Sequence, residues 1–217
     1  MTPPDDSFSF LIETAQIIVA KVNSRDNVYL RPEMARKAVA ERLAGGLRLL
    51  RAFLRRLIIL MAVELEWTLV DKRGPMKRPH GRKPKPLSAA FSIRGLDPPK
   101  PSPWLNSDGP KFKPIVRTGR GVPADVDMSH LYAQLSFLAR VAANPMAKAQ
   151  RLAFHLARSY EGPIIAPQGP KRIPGRWGTQ VSVCYDGMYD SIINQTKNRP
   201  PPLPPPRNVW PTVTVIW

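Results

Sequence analysis

Residues 40–63 read AERLAGGLRLLRAFLRRLIILMAV, and their spacing decides the fold. Ala40, Leu43, Leu47, Leu50, Leu54, Leu57 and Met61 recur at intervals of three and four, the repeat that lines up side chains on one face of an α-helix. Leu49, Phe53 and Leu60 widen that seam. From 57 to 63 the residues are apolar in every helical direction, which predicts a segment covered on all sides. Working outward, the pattern predicts helix over 32–70. Pro32 suits a first turn, where its missing N–H has no intrahelical acceptor to lose, and Glu33 falls at the positive end of the helix dipole. A straight helix of that length spans about 57 Å. Gly45 and Gly46 lower helix stability and offer a hinge, leaving one helix or two. Arg48, Arg51 and Arg55 align as a cationic ridge on the far side of the leucine seam.

Before this helix, Asp5, Asp6 or Ser7 is expected to cap a first one. Its apolar face runs through Phe8, Leu11, Ile12, Ala15, Ile18, Val19 and Val22, and Asn23-Ser24 and Asp26-Asn27 end it. Beyond the insertion described next, helix resumes from Ala124, with Asp125 or Asp127 as cap and Leu131, Leu135, Leu138 and Ala142 as the seam. Asn144-Pro145 breaks and restarts the chain. Ala149, Leu152, Ala153, Leu156 and Tyr160 then line a fourth helix, stopped by Gly162-Pro163. Small residues (Ala139, Ala142, Ala143, Ala147, Ala149, Ala153) are expected to let the third and fourth helices approach closely.

Two stretches interrupt this helical pattern. The chain has 26 prolines in 217 residues, well above the usual frequency of about 5%. They concentrate at 75–123 and 163–211. Residues 71–122 also carry thirteen Lys and Arg against three Asp and Glu, which is ten of the chain's seventeen net positive charges. Short apolar islands there, with Trp104 the best anchor, bury too little surface to offset chain entropy, so 71–123 reads as an insertion or linker. After residue 163, the alternation at 179–185 and 211–217 suggests short strands, and 187–196 a short helix.

The expected fold is therefore mainly α. A compact core of about four helices is formed by 1–70 and 124–162. A proline-rich basic insertion separates these parts, and a proline-rich, partly extended tail follows over 163–217.

The densest cationic run contains Lys72, Arg73, Lys77, Arg78, Arg82, Lys83 and Lys85. Such a run favours a polyanionic partner, since each cation that meets a phosphate releases counterions. It lacks interleaved aromatics that would stack on bases. Residues 199–207 place Pro202 and Pro205 at PxxP spacing between Arg199 and Arg207. Proline fixes φ, so this segment suits either a stiff spacer or an aromatic-lined groove of SH3 or WW type.

Chemistry-bearing patterns are sparse. His80, His130 and His155 are the only histidines, and none stands at metal-ligand spacing from a Cys, Asp or Glu. Gly119-Arg120-Gly121 is too short for a phosphate loop, and Cys184 has no histidine near it in sequence. No catalytic set, metal site or cofactor fingerprint is expected. A single cysteine excludes an intramolecular disulfide, and the amino terminus has no basic region preceding an apolar one, so the expectation is a cytoplasmic chain without a signal peptide.

The leading functional expectation is a non-catalytic binding or adaptor protein whose basic segment engages a polyanion, foremost nucleic acid. The alternative is a peripheral membrane protein, with the arginine ridge on anionic headgroups and residues 57–63 inserted. An enzyme is the third option. A protein partner is also compatible with the helical face or the polyproline tail.

Overall fold

The computed structural model describes residues 8–71, 85–86, 125–161, 173 and 175–199. Five α-helices make up most of this: α1 Ser9–Ser24, α2 Lys37–Asp71, α3 Ser129–Ala143, α4 Met146–Ser159 and α5 Thr179–Thr196. Four short strands form two pairs: β1 Met34–Arg36 with β3 Asp125–Asp127, and β2 Lys85–Pro86 with β4 Tyr160–Glu161. Helix α2 is the axle of the fold, and α1, α3, α4 and α5 all pack on it. That arrangement explains its composition. Every residue of 57–63 is buried, and so are Leu43, Leu47, Leu50 and Leu54 of the seam. A helix surrounded by four others needs apolar side chains around its whole circumference.

Helix α2 runs unbroken through Gly45 and Gly46. The two glycines differ in their surroundings. A Cβ on Gly45 would meet nothing within 4 Å, whereas one on Gly46 would lie 2.9 Å from a Val22 methyl and 3.4 Å from the Trp177 ring. Gly46 therefore marks where α1 crosses close to α2, and the packing holds straight what propensity alone would loosen.

The start of α2 differs from the sequence expectation. Pro32 and Glu33 precede the helix, which begins at Lys37. Arg31 takes a left-handed backbone (φ 50°), and the chain then runs extended as β1, antiparallel to β3 with Ala35 opposite Val126. The Glu33 carbonyl accepts the Met128 N–H at 3.0 Å, and the Pro32 carbonyl accepts the Tyr132 hydroxyl at 3.1 Å. Pairing with a segment about ninety residues away thus takes these backbone groups out of any helix. Asp125 accordingly lies in β3 rather than at a cap, and α3 starts at Ser129. Asp127 keeps a capping role, its carboxylate accepting the Ser129 N–H at 2.8 Å and the Ser129 hydroxyl at 3.0 Å.

At the amino end, α1 begins at Ser9 behind Phe8, with no side-chain cap there; Asp5, Asp6 and Ser7 lie outside the described residues. It ends at Ser24, and Asp26 and Asn27 then adopt positive φ (54° and 57°), a conformation these two residue types tolerate best after glycine.

Three further expectations are corrected. Residues 179–185 are not a strand but the first part of α5, and the tail region thereby supplies a fifth core helix. Val181, Cys184, Tyr185, Met188 and Ile192 are its buried face, at helical spacing, while Val183 is exposed. The third and fourth helices make little contact with each other; both lie chiefly against α2. Ala149, Ala153 and Ala157, one residue per turn, are buried and let α4 approach α2 closely, whereas Ala143 and Ala147 are exposed. Finally, α4 ends at Ser159, and Tyr160 belongs to β4, which runs parallel to β2. Trp104, His80 and residues 211–217 lie outside the described residues.

Candidate nucleic-acid interface

The arginines of α2 do not form a surface ridge. Arg48 is exposed, and Arg51 is half-buried, donating from Nη2 to the Gln134 side-chain oxygen at 3.2 Å. Arg55 is only 7% exposed and Arg56 only 8%. The far side of the leucine seam is covered because α2 is central, a consequence that one helix's pattern does not reveal.

Arg56 shows what such a buried cation does. Its guanidinium lies 3.4 Å from the Tyr185 ring centroid and 5.3 Å from that of Tyr189, and Nη1 donates to the Tyr185 carbonyl. Burial pulls its pKa below the ordinary arginine value, while Tyr185, Asp186, Tyr189 and Asp190 oppose that. Burial likewise raises the Tyr185 pKa, against the pull of Arg56. This cluster fastens α5 to α2.

Arg199 is also spent inside the molecule. Its Nη2 donates to Glu66 Oε1 at 2.7 Å and to the Leu156 carbonyl at 3.2 Å, with side-chain exposures of 1% for Arg199 and 3% for Glu66. One guanidinium therefore ties the chain after α5 to both α2 and α4. Desolvation raises the Glu66 pKa, and the bond and charge of Arg199 hold it down. The sequence reading gave Arg199 to a docking motif, but its side chain is not on the surface to serve one. Pro202, Pro205 and Arg207 lie outside the described residues.

Among the described residues, α4 presents a group of basic side chains at the surface. Arg151, His155 and Arg158 are exposed and Lys148 is half-buried, at successive spacings of three, four and three, so all four share one face. The opposite face, with Ala149, Leu152, Ala153, Leu156 and Ala157, is buried. Phe154 stands among the cations with 45% of its surface exposed, and the Arg158 guanidinium lies 5.8 Å from its ring centroid. Across the turn, Lys148 Nζ lies 5.7 Å from the ring of Phe137 on α3, and Arg140 is exposed near the end of α3. From 128 to 160 the sequence contains no Asp or Glu. Neither α3 nor α4 therefore supplies an acidic neighbour to these side chains. Arg158 in the last turn also faces the negative end of the helix dipole, which favours a cation there.

Charge summed over 123–162 conceals this face. Asp125, Asp127 and Glu161, at the edges of 123–162, offset all but one of the positive charges. Spacing along α4 was the available signal. Of the cationic run, Lys72, Arg73, Lys77, Arg78, Arg82 and Lys83 lie outside the described residues, and Lys85 is described through its backbone in β2. The run leaves α2 at Asp71, and its last cation lies in a strand paired with β4, immediately after α4.

Other candidate chemistry is thin among the described residues. No group of three His, Cys, Asp or Glu is placed to hold a metal ion. His130 and His155 are both exposed, on helices that make little contact with each other. Cys184 is buried, its Sγ 3.8 Å from the Thr14 hydroxyl. A cleft of about 160 Å³ between α1 and α3, lined by Val19, Asn23, Val28, Arg31, Tyr132 and Leu135, falls below the roughly 300 Å³ at which small-ligand pockets begin. Comparison with protein families, with curated proteins and with solved structures finds no match to this chain.

Proposed function

We propose that the protein is a non-catalytic nucleic-acid-binding or adaptor protein that engages the phosphate backbone through the α4 face together with the basic run at 72–85. The observation that carries this reading is the row of exposed Arg151, His155 and Arg158 with half-buried Lys148, in a stretch free of acidic residues. Cations grouped on one face attract phosphates and release their counterions on contact. The chain's charge of +17 strengthens long-range attraction to any polyanion.

The membrane alternative needed residues 57–63 as an apolar anchor. All seven are buried, so that anchor is not presented in this fold. No described helix is long and apolar enough to cross a membrane.

The test is binding of the full chain to labelled nucleic acid at low salt, beside co-sedimentation with phosphatidylserine-containing vesicles. The reading expects nucleic-acid binding that weakens on replacing Arg151 and Arg158 with glutamine, and weakens further on neutralising Lys77, Arg78, Arg82 and Lys83. Strong vesicle binding without nucleic-acid binding would move the assignment to the membrane. Binding to neither would leave the basic residues as a solvated surface.

A further inference from the structure

We infer that the α4 face recognises single-stranded rather than duplex nucleic acid, with Phe154 stacking on an unpaired base between phosphates held by Arg151 and Arg158; this rests on the nucleic-acid reading above. The cations alone do not discriminate, because both forms carry phosphates. The aromatic ring does. Phe154 contributes nothing to the core face of α4, which is complete with Leu152, Ala153, Leu156 and Ala157. Instead it stands nearly half exposed inside a cationic row, with Arg151 three residues before it and Arg158 four after. Positions at those spacings are neighbours on a helix surface.

A ring with one cation beside it and another one turn away on the same helix matches the requirement of a strand-binding groove, where charge follows the backbone and an aromatic face receives a base. Duplex DNA hides its base faces in the stack, so a ring projecting from a helix finds nothing there to stack on. The Arg158 guanidinium, 5.8 Å from the Phe154 centroid, already lies where a cation supports the ring from one side. Phe137, half-buried against the core, has Lys148 Nζ 5.7 Å from its centroid, so Phe154 is the ring of the two that is open to a base. The basic run at 72–85 lacks aromatics, which divides the labour: the run supplies charge, and α4 supplies the preference for unpaired bases.

The experiment compares the full chain with its Phe154→Leu variant, which keeps an apolar side chain on an exposed position and removes the ring. Fluorescence anisotropy is read with labelled oligothymidylate and with a duplex of equal length, at matched salt. The inference expects tighter binding to the single strand. It expects Phe154→Leu to weaken that binding by about tenfold, within the range known for loss of one base-stacking ring, without changing the salt slope or the duplex affinity. Equal binding of strand and duplex, or a Phe154→Leu variant as tight as the parent, would overturn the single-strand preference while leaving nucleic-acid binding in place. Binding to neither probe would overturn both. Phe154→Trp should retain the preference, and the emission it adds to that of the parent's five tryptophans should be quenched on titration with oligothymidylate; no quenching beyond the parent's under saturating strand would overturn stacking.

Discussion

Replacing Arg199 with methionine should remove the cation that donates to the buried Glu66 carboxylate. The Arg199–Glu66 pair is almost wholly shielded from water, at 1% and 3% side-chain exposure, with 2.7 Å between the bonded atoms. Breaking such a pair from one side leaves a charge with neither water nor partner, at a cost of about 3–5 kcal/mol. The lost bond to the Leu156 carbonyl adds to the effect. Against a total stability of about 5–15 kcal/mol for a domain, this is a large fraction. The pH dependence has a definite sign. Desolvation raises the Glu66 pKa in the folded protein, and loss of Arg199 removes the groups that hold it down. A folded pKa above the unfolded value means that the folded state binds more protons, so stability falls as pH rises through the folded pKa. The deficit of Arg199→Met relative to the parent should therefore be greatest at neutral pH and shrink as the pH falls toward the ordinary glutamate value. Urea denaturation followed by circular dichroism at several pH values measures this. The double variant Glu66→Leu/Arg199→Met, which removes both charges, should recover most of the loss. A deficit independent of pH, or a double variant as unstable as the single one, would refute the buried-pair reasoning.

Leu54→Asp puts an unpaired carboxylate at a fully buried position on the central helix and should abolish the cooperative thermal transition; an unchanged transition would remove Leu54 from the core. Gly45→Ala and Gly46→Ala should part in sign. The first has open space and should stabilise by up to about 1 kcal/mol through helix propensity, whereas the second meets Val22 at 2.9 Å and should forfeit that gain, recovering it relative to Val22→Ala when the two are combined; thermal melts of Gly45→Ala, Gly46→Ala, Val22→Ala and the double variant check this. Arg56→Leu removes the donor to the Tyr185 carbonyl and the stacked cation, and should cost about 1.5–3 kcal/mol in chemical denaturation; a variant as stable as the parent would make Arg56 dispensable to the α2–α5 contact.

The mainly helical architecture was legible where one segment carried the whole signal. Residues 57–63 are apolar in every direction, and only burial on all sides suits that, so the central helix could be identified without its neighbours. The features that stayed hidden depend on partners distant in the chain. Pro32 and Glu33 look like a helix start until residues 125–128 claim their backbone. The run Val181, Val183, Tyr185 alternates as a strand would, and only its continuation through Met188 and Ile192 reveals a helical face. Arg55 and Arg56 look like surface residues because charge usually is, and their burial follows from four helices closing around α2. Arg199 likewise resembles a docking arginine until Glu66, 133 residues earlier, is seen beside it. The α4 face is the opposite case, since its spacing was plain in the sequence and was hidden only by adding up charge over a longer segment.

The central claim is that α4 presents phosphate-binding cations, and the salt dependence of binding tests it most directly. With oligothymidylate, each neutralised phosphate contributes about 0.7 to the slope of log affinity against log salt. Replacing Arg151 and Arg158 with glutamine should make that slope shallower by about 1.4 while leaving the circular dichroism spectrum and thermal transition unchanged. A slope unaltered in a folded double variant would show that α4 does not contact the phosphate backbone and would contradict the account.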